Sequence, residues 1–398
     1  MADGGLGERL AAARWFGGGG QTVAAVETLD TLTLPGGSRL EVLDVAFAGG
    51  ERRLHLWVED EQTVAAGVLE ALLEGREHGR FRFAPGLRLV DLAPASRRER
   101  PVAGDQSNTS RVVGEALVVK LYRRLWPGMH PEIELGRHLT ETAGFAGVPA
   151  YAGAVWWDGH ALALVQELVA GGRDGWTWAQ EAVAAGDVSP MRELGELTRR
   201  LHVALAELGS APASPGERRR WREAAHAQLD LALAVADAES AVELRRHEQR
   251  IRAELDLLEA GPAPALTRVH GDLHIGQILR APSGFAILDF EGEPTRDLAE
   301  RTAPASPVRD VAAMLRSFDH LVRFVQRESP EAVGRTRAEA WIEPAREAFL
   351  AGYGPVDAQL LRAFEVEKET YEFVYAARFL PGWAYAPRGG LAWLMETA

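Results

Sequence analysis

The pattern of apolar and polar positions changes character once along the chain, near Gly171–Gly172. Ahead of that point, short and partly alternating segments at Thr22–Leu29, Leu40–Phe47 and Arg53–Glu59 predict strands, separated by turns that carry Gly and Pro. One helical pattern, Glu61–Glu74, lies among them. The charged run Arg97–Arg100, closed by Pro101, reads as a linker. Asn108–Val119 reads as strand, turn, strand, with the turn near Gly114–Glu115. A helix is expected over Ile133–Thr142, then strands over Ala150–Val155 and Ala161–Gln166. These segments are the material of a five-stranded sheet with one inserted helix.

Beyond Gly171–Gly172 apolar residues recur at three-and-four spacing over Pro190–Glu207, Glu217–Leu258, Ala338–Ala351 and Gln359–Phe379, which predicts helices. Leu266–Leu279 and Phe285–Phe290 interrupt them as short apolar strands flanking loops. The charge-dense run Glu217–Glu223 fits a solvated helical face. The chain shows no internal repeat and no long low-complexity tract.

Composition narrows the class. At 398 residues with 46% apolar side chains, the chain is long enough for two or three domains with real cores. A formal net charge of −13 speaks against nucleic acid as a main partner. No apolar run reaches the ~18 residues of a membrane span, and the start lacks the basic-then-apolar order of a secretory signal. A cytoplasmic protein is therefore expected, without a membrane or nucleic-acid partner, as a monomer or weak homo-oligomer. The absence of cysteine excludes disulfides, thiolate zinc sites and cysteine nucleophiles. Of the 44 basic residues only Lys120 and Lys368 are lysine. In a chain that uses arginine so consistently, a retained lysine hints at a task that wants a compact ammonium.

The strongest chemical feature is His270-Gly271-Asp272-Leu273-His274-Ile275-Gly276-Gln277-Ile278, followed by Ile287-Leu288-Asp289-Phe290-Glu291-Gly292. A polar, Gly-containing loop sits between two apolar strands, and the second strand ends in Asp289, 17 residues after Asp272. Phosphoryl transfer calls for such a set: one carboxylate to accept an alcohol proton, and an amide oxygen with a second carboxylate to hold Mg²⁺ on the phosphates. Asp272 fits the base, and Gln277 and Asp289 fit the metal ligands.

These two segments resemble the catalytic and metal loops of the aminoglycoside phosphotransferase-like kinases, and within them the maltokinase-like sugar kinases, which carry Gln at the position of Gln277. The resemblance implies an α+β, protein-kinase-like two-lobed fold that uses ATP and Mg²⁺, with an N-terminal cap subdomain over residues 1–97. A β-rich N-lobe would cover 98–170 and a mainly helical C-lobe 171–398. It further implies that Lys120, ending Val118-Val119-Lys120, neutralises nucleotide phosphates and is braced by Glu134, with Glu132 as alternate. Gln106, Ser107 and Asn108 would cover the phosphates, and Gln166, Glu167 and Val169 would form the hinge that meets the adenine. Asp310 matches an aspartate that braces the catalytic loop. His202 and His320, on helical faces, read as packed or exposed histidines and not as ligands.

The C-terminal helix offers a set suited to a sugar: Glu365, Glu369, Tyr371, Glu372 and Tyr375, with Trp383 and Tyr385 beyond it. On pattern alone this is a solvated acidic stripe beside an aromatic one. By resemblance the helix lines the acceptor pocket, and Asp272, His274, Glu291, Glu369, Glu372, Tyr375, Trp383 and Tyr385 are the expected sugar contacts. Whole-chain likeness, including Arg14-Trp15-Phe16-Gly17-Gly18 and Leu121-Tyr122-Arg123-Arg124-Leu125, points to maltokinases. The tail departs: Tyr375-Ala376 and Leu380-Pro381-Gly382-Trp383-Ala384-Tyr385-Ala386-Pro387 resemble the actinobacterial glucosamine kinases. The expected acceptor is glucosamine, phosphorylated at its 6-hydroxyl, with maltose as the alternative. A catalytically inactive nucleotide- or sugar-binding module is the reading of another class, and the presence of Lys120, Asp272, Gln277 and Asp289 argues against it.

Overall fold

The computed structural model describes residues 4–13, 15–16, 22–75, 77–102, 108–293, 296–328 and 335–396. Gln106 and Ser107, together with Arg14, Gly17, Gly18 and Pro294, lie outside the described residues. The chain divides into two compact units, residues 1–170 and 171–398.

The first unit is built on two sheets. Val23–Thr33, Arg39–Phe47 and Arg52–Glu59 form an antiparallel meander that Arg124–Leu125 joins at one edge. The second sheet has seven strands. It places Phe81–Pro85 beside Tyr151–Trp157, then His160–Glu167, Leu117–Leu121 and Thr109–Val113. Tyr151–Trp157 is buried on both faces, which explains a continuous apolar run instead of a clean alternation. The turn expected near Gly114–Glu115 is there: Gly114 has φ +59°, and a Cβ on it would lie 2.4 Å from Pro94 Cβ. Phe81–Pro85 enters the same sheet as 109–121 and 151–167, and Leu40, Val68, Phe83, Val119 and Val155 share one buried cluster, so residues on both sides of 97/98 contribute to one sheet and one core. The helix expected over Ile133–Thr142 is α-helical over Pro131–Arg137 and continues as a π-helical turn over His138–Thr142.

The second unit is mainly helical. Gly175–Ala185, Ser189–Ala206, Pro215–Val235, Ala238–Asp256, Val308–Glu328, Arg335–Tyr353, Ala358–Phe379 and Tyr385–Glu396 are its principal helices. The single pattern over Glu217–Leu258 is two helices, because Asp237 caps a new N-terminus by accepting from the Ser240 N–H. The apolar stretch Leu266–Leu279 is mostly loop. Its strands are Ala265–Leu266, followed by a single antiparallel bridge from Thr267 to Ala305, and Ile278–Ala281, which forms a hairpin with Gly284–Ile287. The pattern does not delimit Val308–Glu328, since Asp310, Arg316, Asp319 and His320 interrupt its apolar periodicity yet are all buried.

The acidic stripe on Ala358–Phe379 is not solvated. Glu365, Glu367 and Glu369 are buried, and arginines from neighbouring helices make this tolerable. Arg346 pairs with Glu365, and Arg316 lies 2.8 Å from Glu369. Among the described residues no helix is long and apolar enough to cross a membrane.

Candidate active site

The loop 270–277 is shaped by its backbone hydrogen bonds. His270 N–H donates to Asp310 Oδ2 at 2.8 Å and Gly271 N–H to Asp310 Oδ1 at 2.9 Å. His202 Nε2 is 3.0 Å from the same Oδ2, and its Nδ1 is 2.8 Å from the Tyr353 hydroxyl. Burial opposes the Asp310 charge, but hydrogen bonds from His202 and the backbone outweigh it and hold the carboxyl below its ordinary value. His270 Nε2 donates to the Leu288 carbonyl at 2.8 Å while its Nδ1 accepts from the Asp272 N–H at 3.3 Å, tying this loop to the segment just after Gly284–Ile287 that carries Asp289. Gly271, at φ +86°, makes the turn that only glycine takes cheaply.

Farther on, Ile275 N–H donates to Ser317 Oγ at 3.0 Å. A Cβ on Gly175 would fall 1.6 Å from the Ile275 carbonyl oxygen, so the start of the Gly175–Ala185 helix packs directly on the loop. His274 caps the short turn Ile275–Gln277 by accepting from the Gly276 N–H at 3.1 Å. Burial lowers its pKa, and only in part does Asp272 offset this. Gln277 Nε2 lies 3.2 Å from Asp289 Oδ2. Asp289 has φ +64°, a costly conformation for a non-glycine residue and one that often marks a functional carboxylate.

Asp272 is not isolated. Lys368 Nζ lies 3.1 Å from Asp272 Oδ1, 2.9 Å from Glu293 Oε1 and 3.3 Å from Glu372 Oε1. Burial disfavours the ammonium, yet Glu293, Asp272 and Glu372 outweigh it and raise the pKa well above its ordinary value. Glu293 also pairs with Arg296; against the cost of burial, Lys368 and Arg296 bring its pKa down to about 2. Glu372 goes the other way: burial raises its pKa, and Lys368 and His320 compensate only partly.

Next to Asp272 lies a cavity of about 400 Å³ whose walls include His274, His320, Glu372, Tyr375 and Trp383. The structure thus brings together Asp272, His274, Glu372, Tyr375 and Trp383 of the expected sugar contacts. Glu369, Glu291 and Tyr385 are not among the lining residues. Glu369 is committed to Arg316 and to His320 Nε2 at 2.9 Å. Burial works against its charge, but His320 and Arg316 hold its pKa below the ordinary value. Tyr385 packs edge-on against Trp383, ring centroids 5.5 Å apart, with Arg327 over its own ring. Glu291 presents its carbonyl to Arg301 at 3.2 Å. His320 is a lining residue instead of a merely packed one.

In the first unit, Lys120 Nζ is 2.9 Å from Glu132 Oε2, and the Tyr122 hydroxyl donates to the same oxygen at 2.9 Å. The brace expected of Glu134 is thus made by Glu132, which the entry turn at Pro131 buries. Asn108 is buried just ahead of Thr109–Val113. In the segment 166–169, Glu167 N–H donates to Ala150 and Leu168 N–H to Ala116, while Val169 N–H has no backbone partner among the described residues.

A loop that carries an aspartate and is itself held by a buried carboxylate, with amide and carboxylate oxygens alongside, on an α+β protein-kinase-like fold, defines a phosphoryl-transferring class. The chain belongs to the phosphotransferase enzyme family, whose sequence profile matches residues 98–364. It is 32% identical over 401 residues to a glucosamine kinase of Mycolicibacterium smegmatis, covering 89% of this chain and 98% of that one. It is 34% identical over 317 residues to a glucosamine kinase of Streptacidiphilus jiangxiensis, covering 73% and 72%. A solved glucosamine kinase in complex with glucosamine, ADP and inorganic phosphate superposes with a TM-score of 0.77 at 28% identity, over 99% of this chain and 100% of that one. Another glucosamine kinase structure, crystal form B, gives 0.79 at 29%, over 94% of each. The protein is a phosphotransferase with a hydroxyl acceptor.

Lys368 and Glu293 escape a motif-based reading. The scarcity of lysine was the one signal pointing to Lys368; nothing in the local sequence ties Glu293 to it.

Proposed function

We propose that this enzyme is an ATP-dependent sugar kinase that transfers the γ-phosphoryl group to glucosamine, giving glucosamine 6-phosphate. The observation that carries the reading is the pairing, on one cavity wall, of a loop aspartate with a second carboxylate, Glu372, that burial leaves short of counter-charge. Glucosamine presents a hydroxyl to one and an ammonium to the other. The two glucosamine kinase relatives support this over the maltose alternative, as does Ala376, where a carboxylate would offer a disaccharide another acceptor.

Asp272 receives the acceptor hydroxyl, orients it for in-line attack and takes its proton. Its Oδ1 is held by Lys368, and Oδ2 makes no hydrogen bond among the described residues, which leaves it for the sugar. Trp383 and Tyr375 supply flat faces on which a pyranose packs. His274 and His320 offer ring nitrogens to its other hydroxyls. In the first unit, Lys120 braced by Glu132 suits nucleotide phosphates, and the Val169 N–H, without a backbone partner among the described residues, suits an adenine edge, with Asn108, Gln106 and Ser107 in the segment assigned to phosphate covering. Gln277 and Asp289 offer an amide oxygen and a carboxylate side by side, the hard donors that Mg²⁺ takes, and the φ of Asp289 fits a carboxylate held for such use. When bound, Mg²⁺ would neutralise phosphate charge.

The test is ADP release by purified protein with MgATP against glucosamine, maltose, glucose, N-acetylglucosamine and kanamycin. A clear preference for glucosamine is expected. A preference for maltose would overturn the choice of acceptor, and nucleotide binding without turnover on any of the five would overturn the enzymatic reading.

A further inference from the structure

Lys368 is one of two lysines in the chain, and its side chain is 11% exposed among three carboxylates. It borders two cavities: the one beside Asp272, and another of about 580 Å³ that Glu293, Arg296 and Glu367 help to line. Its contacts are unequal in kind. Glu293 has a second cation, Arg296, and so serves as an anchor. Asp272 and Glu372 each give Lys368 one oxygen, and their other oxygens, Oδ2 and Oε2, make no hydrogen bond among the described residues. Tyr371 lies under the ammonium, its ring centroid 4.4 Å from Nζ, which limits the directions left to the lysine head.

We propose that Lys368 is the positioning residue of the acceptor cavity: by holding one oxygen of Asp272 and one of Glu372, it fixes both acids so that the other oxygen of Asp272 receives the reacting hydroxyl and that of Glu372 the substrate amine. The inference rests on the glucosamine reading above. Lys368 Nζ is nearly equidistant from the two acids, 3.1 Å from Asp272 Oδ1 and 3.3 Å from Glu372 Oε1, so one ammonium fixes both side chains and leaves Oδ2 and Oε2 for the substrate hydroxyl and amine. Arginine would not substitute simply, since a planar fork engages two oxygens in one plane where Lys368 reaches three separate carboxylates. Lys368 touches no reacting atom in this scheme; it acts through Asp272 and Glu372.

The experiment compares the wild-type chain with Lys368→Met, and with Lys368→Met combined with Glu293→Gln. The double variant removes one orphaned carboxylate and keeps the test open where the single variant does not fold. Glucosamine binding in the presence of ADP is followed by titration calorimetry, and its stoichiometry counts the folded sites. Turnover is then expressed per site. The expected result is wild-type stoichiometry, a Kd no weaker than wild type, and kcat per site lower by about 100-fold, because an unfixed Asp272 no longer holds the hydroxyl in line. Stoichiometry that falls in step with kcat would show a merely structural lysine. A weaker Kd would show a binding contact, and kcat within threefold of wild type would show no role; each of the three overturns the proposal. Failure of the wild type itself to bind or phosphorylate glucosamine overturns the underlying acceptor reading, and is seen before any variant is made.

Discussion

Replacing Asp310 by Asn tests whether one buried carboxylate holds the catalytic loop in shape. Asp310 accepts from His270 N–H, Gly271 N–H and His202 at 2.8, 2.9 and 3.0 Å, and it is 1% exposed, so water cannot replace a lost partner. The amide keeps one acceptor oxygen and turns the other position into a donor that meets a donor. One buried N–H is then orphaned, at about 1–3 kcal/mol, and the surviving bonds lose their charge assistance, at about 1 kcal/mol each. Release from burying a charge offsets part of this, so a net destabilisation of roughly 3 kcal/mol is expected. The loop it held carries Asp272, and a displacement on the order of 1 Å there lowers kcat by about 100-fold, while KM for ATP changes little. Chemical denaturation at pH 7, with kcat measured well below the unfolding transition, reads both quantities. A stability change below about 1 kcal/mol together with kcat within threefold of wild type would refute the reasoning.

Asp272→Asn should lower kcat by about 10²–10⁴-fold with nucleotide affinity nearly intact; a loss of less than about tenfold in steady-state assays would show that Asp272 is not the base. Glu372→Gln should raise KM for glucosamine about tenfold or more, and in the wild type the same KM should rise as pH falls toward the carboxyl's value, which burial holds above 4.5. A pH-independent KM above 4.5 would contradict Glu372 as the amine's partner. In the first unit, burial lowers the pKa of His55 to about 4; its Nδ1 donates to the Arg123 carbonyl at 3.1 Å and its buried Nε2 has no partner among the described residues. Its contribution to stability is therefore complete above pH 6.5 and lost progressively down to pH 4, roughly 3 kcal/mol in all. Denaturation curves of His55→Leu should lack that slope, and an unchanged slope would assign it to other groups.

Much of the chemistry could be read locally. His270–Gln277 and Leu288–Gly292 are contiguous, and a phosphoryl-transfer loop needs its aspartate, amide and second carboxylate within a few residues of one turn and one hairpin. The strands of the first unit and the long helices of the second were legible for a similar reason, since alternation and three-and-four spacing record which side of an element meets the core. The strand Phe81–Pro85 and the helix Val308–Glu328 were not. One is short, and the other buries charged residues that break the apolar period.

Charge pairing is where sequence stopped and tertiary structure decided. Helical spacing puts Glu365, Glu369 and Glu372 on one face, but their fates differ because their cations come from elsewhere in the chain. Glu369 takes Arg316, 53 residues away, and becomes part of the scaffold, while Glu372 remains at the cavity. Lys120 pairs with Glu132, since a helix entered through Pro131 buries that side chain beside Tyr122. Lys368 stands 96 residues from Asp272 in sequence and 3.1 Å from it in space. A carboxylate's role depends on its burial and on the counter-charge that reaches it, and both are properties of packed elements: the sequence by itself determined the kind of reaction, and the tertiary structure decided which acids remain at the cavity.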